Sequence, residues 1–146
     1  NNGPFRVVLA PAVERSVAVP RGTGVYAVTW PASERRDEVL GQRGGTLHGT
    51  VMDYVESRSL FVADVYWQPP ASEPLGPMAL EITCHAQSIV DKTTVTVRQS
   101  ASDDGPRWRR YFELTEQGWV NALATLKDYI ENEWLYRVHT IKQQRT

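Results

Sequence analysis

The sequence predicts an α+β domain in which a curved antiparallel β-sheet wraps one long C-terminal α-helix, and three observations carry that prediction. Paired segments in the middle of the chain alternate apolar and polar residues with the period of two expected of half-buried strands. From Tyr111 to Ile130 the apolar residues instead recur every three or four positions, the period of a helix with one buried face. The 146 residues suit one core, so residues 1–146 are expected to form a single domain that buries roughly two-thirds of its unfolded surface.

Taken in order, residues 1–20 hold short β-like runs, Phe5 to Leu9 and Val13 to Val19, interrupted by Pro4, Pro11 and Pro20. Val25 to Trp30 (VYAVTW) is a strand stopped by Pro31, and SERRDEVLGQRGG is a charged, glycine-closed surface connection. GTLHGTVMDYV and SLFVADVYW, split by Glu56-Ser57-Arg58, form a hairpin rich in β-branched and aromatic residues. QPPASEPLGP is expected to be a loop, since it holds four prolines. MALEITCHAQSIV and KTTVTVRQS, joined at Asp91, make a second hairpin in which Leu80, Ile82, Cys84 and Ala86 share the core face, as do Val95 and Val97.

ASDDGPRWRR then turns into the helix, whose apolar stripe is Tyr111, Leu114, Trp119, Ala122, Leu123, Leu126, Tyr129 and Ile130. Gly118 interrupts this helix at a cost of ~1 kcal/mol against alanine. It is expected to mark the point where helix and sheet backbones come closest, with Trp119 filling the space beside it.

Composition narrows the function. Sixteen Lys+Arg against seventeen Asp+Glu give a net charge of -1, so no broad basic field exists to hold nucleic acid. The lone Cys84 excludes an internal disulfide and a multi-cysteine zinc site, which fits a reducing, cytoplasmic setting. No apolar run approaches the ~20 residues of a membrane span, and no signal peptide is apparent. GQRGG at 41–45 lacks the lysine and hydroxyl residue of a phosphate loop, and RWRRY at 107–111 follows Asp103 and Asp104, as a solvated helix start would. No cofactor and no metal are expected.

Three stretches resemble the START-like (SRPBCC) helix-grip superfamily: LAPAVERSVAVPRGTGVYAVTWP, the hairpin GTLHGTVMDYVESRSLFVADVYW, and KTTVTVRQS followed by GWVNALATLKDYIE. That superfamily includes birch-pollen-allergen-like proteins, polyketide cyclases and homologues of the activator of heat-shock protein 90 ATPase. The chain is most similar to the last group in its bacterial form, over about residues 9–133. The family opens with a strand and two short helices, for which no pattern is found before residue 24. An unpaired edge strand left by their absence would invite a second copy of the chain, giving a homodimer.

The resemblance implies a cavity between sheet and helix that takes a small hydrophobic or amphipathic ligand. The residues expected to line it are Tyr26, Trp30, Phe61, Tyr66, Trp67, Cys84, Tyr111, Trp119 and Leu123. Trp108 adds a further ring, and the bland reading of all these rings is ordinary core or its rim.

Catalytic candidates are sparse. His48, His85 and His139 have no convergent partner, and Cys84 and His85, adjacent on one strand, point to opposite faces. Asp64 shares strict parity with Leu60, Val62 and Tyr66. It is a buried carboxylate if that face is inward, and a surface charge if Phe61, Ala63, Val65 and Trp67 face inward; the second face is the more apolar. The expected function is therefore non-enzymatic ligand capture. The alternatives are a chaperone-associated regulator that binds a protein partner, and a cyclase- or hydrolase-like enzyme.

Overall fold

The computed structural model describes residues 24–87 and 92–132 in full and the backbone of 5–6, 15–18 and 133–144. Five long strands make an antiparallel meander: β3 (Gly24–Trp30), β6 (Gly45–Val55), β7 (Ser59–Gln68), β8 (Leu75–Gln87) and β9 (Lys92–Ser100). Short strands extend both sides, β1 (Phe5–Arg6) pairing with β9 and β2 (Arg15–Ala18) with β3, so the order is β1-β9-β8-β7-β6-β3-β2. The helix α1 (Pro106–Gln144) follows β9, and Pro106 suits a first helical position because its missing N–H would have no intrahelical acceptor there. The family's expected opening segment falls largely outside the described residues.

Both predicted hairpins form. Glu56-Ser57-Arg58 is a turn in which the Arg58 N–H donates to Val55 O at 2.9 Å, with Ser57 left-handed at φ 63. In β8 and β9, Leu80 and Val97 are fully buried, and Ile82 and Val95 pack on the core. Ala86, also expected inside, is exposed at the strand's far end. Residues 88–91, which include the joining Asp91, lie outside those described.

The two parity alternatives for β7 share an assumption that fails. Between His48/Tyr66 and Thr50/Ala63 the register slips, so Asp64 and Val65 together oppose Gly49. This β-bulge puts Asp64 at φ 50 and shifts the phase of the alternation. Val62 before it and Val65 and Trp67 after it are consequently all buried, while Asp64 is exposed. Gly49 has to be small here, because a Cβ would lie 2.7 Å from Val62 Cγ1 and 2.9 Å from Val65 Cγ2.

Three expectations are corrected. The loop QPPASEPLGP ends early: Leu75, Gly76 and Pro77 belong to β8. Pro77 is tolerated because β9 pairs only from Ala79 onward and the β7–β8 register slips beside it. The connection SERRDEVLGQRGG is more than surface, folding into a two-stranded ribbon of β4 (Arg36–Asp37) and β5 (Gly41–Gln42) that sends Leu40 into the core at 4 % exposure. Gly118 is not the helix–sheet contact point. It is exposed, and a Cβ there would meet nothing within 4 Å, so of the Gly118-Trp119 pair it is Trp119 that packs on the core.

Candidate functional site

The inner face of the sheet, the side facing α1, is the candidate site, and it can be followed in rows across the strands. Val28, Leu47, Trp67 and Leu75 form one buried row, and Val51, Val62, Leu80 and Gln99 another. The next row is Tyr54, Leu60, Ile82 and Val97, followed by Cys84 beside Val95. Cover thins across these rows. Val62 and Leu80 have no exposure, whereas Tyr54, Leu60, Ile82, Cys84 and Val95 are half-buried.

Helix residues account for the packed end. Tyr111 and Phe112 are buried, and the Tyr111 ring lies against Trp67 at 5.4 Å between centroids. Gln99, 1 % exposed, is the polar group at the centre. Its Nε2 donates to Tyr111 Oη at 2.9 Å, and its Oε1 accepts from Trp119 Nε1 at 2.9 Å. One strand amide thereby fixes two helix rings two turns apart, and no described buried side-chain nitrogen or oxygen lacks a partner. Trp67 Nε1 donates to Gly44 O at 2.8 Å, which satisfies the other buried indole. Burial, with the Tyr111 phenol nearby, pushes Tyr26 up to about 12; burial likewise raises Tyr111.

The helix start is tied down by charge. Arg110 Nη2 lies 2.8 Å from Asp37 Oδ1, and the Asp37 side chain is only 7 % exposed. Asp37 Oδ2 also accepts from the backbone N–H of Val39 and Leu40 at 3.0 Å. These hydrogen bonds, Arg110's first among them, hold the carboxyl down at about 2. The RWRRY cluster is thus divided: Arg109 faces water near Asp104, Trp108 packs on the core, and Arg110 is committed to Asp37 and Glu113.

The expected lining residues fall on both faces. Tyr26, Trp30, Trp67, Tyr111, Trp119 and Leu123 belong to or pack on the core, and Cys84 lies on the inner side by its pairing with Val95. Phe61 and Tyr66 do not line the inner face. Phe61 opposes the exposed Asp53 and Glu81, and Tyr66 stacks on exposed His48 with centroids 5.9 Å apart. The bulge is the reason: it places Phe61 and Tyr66 on the same outer face, although strict alternation would separate them. The Tyr66 ring covers Gly76, where no side chain would fit.

Sequence reasoning missed Gln99 and Asp37, and it did not single out Tyr54, Leu60, Ile82 and Val95 as lining. Parity was a usable signal for Gln99, which continues the inward series of Val95 and Val97. An open groove of about 290 Å³ lies beside the bulge, lined by residues including Asp64, Pro77, Ala79 and Ser100 and by no helix residue. Among the described residues no group of three or more His, Cys, Asp or Glu side chains is placed to hold a metal ion. No described helix is long and apolar enough to cross a membrane.

The sequence matches no protein-family model, and neither a curated protein nor a solved structure is similar enough to count as a relative.

Proposed function

We propose that the chain is a non-enzymatic binding module that takes a small apolar or amphipathic ligand at the half-covered end of the inner face. The observation that carries this reading is the incomplete cover over Tyr54, Leu60, Ile82, Cys84 and Val95; among the described helix residues beyond Trp119, Leu123 and Leu126 are those that pack on the core. An acyl chain or a fused-ring molecule would remove this apolar surface from water, gaining about 25 cal/mol per Å² covered. The sheet-plus-helix architecture is that implied by the helix-grip resemblance, and within it we place the chain nearest the bacterial homologues of the activator of heat-shock protein 90 ATPase.

Native mass spectrometry of the purified chain, followed by titration with a fluorescent fatty acid, tests the proposal. Binding is expected, and Val95→Trp should block it by filling the site, whereas Phe61→Ala on the outer face should leave it unchanged. Trp119→Ala should release a retained ligand. Failure to bind any apolar probe, or equal loss from Val95→Trp and Phe61→Ala, would sink the reading.

A second reading, a regulator that docks on another protein, is favoured by the exposed apolar side chains of Val120, Tyr129 and Ile130 on the helix.

A further inference from the structure

We propose that the occupant of the half-covered end is a fatty acid whose carboxylate is taken by Arg58; this rests on the reading of that end as a ligand site. Arg58 closes the turn between β6 and β7, and its carbonyl accepts from the Cys84 N–H at 2.7 Å. It thereby stands opposite Cys84, one step beyond the Ser59–Thr83 and Leu60–Ile82 pairs. Cys84 and its partner Val95 form the outer row of the half-covered patch. A cation on a long side chain is therefore anchored at the margin of that patch.

The charges around this margin favour an anionic head. Arg58 is exposed and forms no ion pair with a described acid, whereas Arg109 and Arg110 are paired with Asp104 and Asp37. Lys92, opposite Gln87, adds a second exposed cation at the same end of the sheet. Against these stands Glu56 in the turn, exposed and outside ion-pair reach of Arg58. Asp53 and Glu81 flank Phe61 on the outer face, where Arg98 already stands opposite Glu81. A guanidinium fork matches the two oxygens of a carboxylate, and such charge-assisted pairs are stronger than neutral ones.

The shape of the patch selects the tail. It runs from Tyr54 on β6 to Val95 on β9, three strand spacings or ~14 Å. Along the strands it stops at Val62 and Leu80, which have no exposure. A single acyl chain laid across the strands fits such a strip, while a two-tailed lipid would leave its second tail in water.

Isothermal titration calorimetry of the full chain at neutral pH, with dodecanoate, dodecanol and dodecyltrimethylammonium each kept below micelle formation, tests this. Dodecanoate should bind tightest. Arg58→Ala should weaken dodecanoate roughly tenfold while leaving dodecanol unchanged, and Arg58→Lys should restore part of the loss. Equal binding of the three heads by the native chain overturns the assignment and leaves the apolar site standing. So does an Arg58→Ala chain that binds dodecanoate as the native chain does. Failure of all three to bind overturns both the assignment and the reading beneath it.

Discussion

The two ends of the inner face are built from the same alternating strands, yet one is sealed and the other is not. Around Gln99 the sheet meets Tyr111, Phe112 and Trp119, rings long enough to span the ~10 Å that separates packed layers. Past Ile82 the rows are less covered, with Leu60 and Val95 partly open, and the described helix residues after Trp119 that pack on the core, Leu123 and Leu126, are shorter. Burial of a strand face is therefore decided by what the opposite layer can reach with, more than by the strand's own pattern.

The contrast can be broken by mutation, and the largest effect belongs to the sealed end. Leu80→Ala should cost about 3 kcal/mol by denaturant unfolding, since the cavity has nothing to collapse into it. Ile82→Ala, two residues along the same strand, should cost only about 1 kcal/mol because its side chain is partly in water already. Equal costs would abolish the distinction between the ends. Next is Gln99→Leu, which keeps the volume but strands the Tyr111 hydroxyl and Trp119 indole N–H; about 2 kcal/mol should be lost, with a change in tryptophan emission as Trp119 loses its partner.

Acid sharpens the comparison further. Asp37 titrates near 2 when folded against 3.8 when free, so its contribution is complete above about 4 and is lost as pH falls toward about 2. Unfolding midpoints followed between those pH values should drop in the native chain and drop less in Asp37→Asn, because the helix start over the sealed end then has no carboxylate to protonate. Smallest, and of opposite sign, is Gly118→Ala. With open space around the position it should stabilise the chain by up to ~1 kcal/mol; a loss would show that Gly118 meets the sheet after all.

The fold class was legible because the hairpins around Glu56-Ser57-Arg58 and in β8 and β9 obey simple alternation and the helix stripe obeys its own period. Illegible was whatever depends on a change of phase or on distant residues. The bulge at Asp64 sets Asp64 and Val65 together opposite Gly49 of the neighbouring strand, a two-strand pairing with no local signature in either. On the inner face, Tyr111 and Trp119 were legible in the same sense, as large rings on the helix stripe that reach the core. Phe61 and Tyr66 were misplaced because ring size says nothing about which side of a bulge a residue follows. Gly118 misled because a helix accommodates one exposed glycine at modest cost without any contact to justify it.

The Arg110–Asp37 link joins positions 73 residues apart, and this gives it a place in time as well as in space. Each neighbouring strand pair from β6 to β9 closes through a short connection, whereas this link must wait until the whole meander lies between its two halves. It should consequently be absent from the folding transition state. Asp37→Asn should then hasten unfolding while leaving the refolding rate nearly untouched, as expected of a clasp that fastens after the sheet has formed.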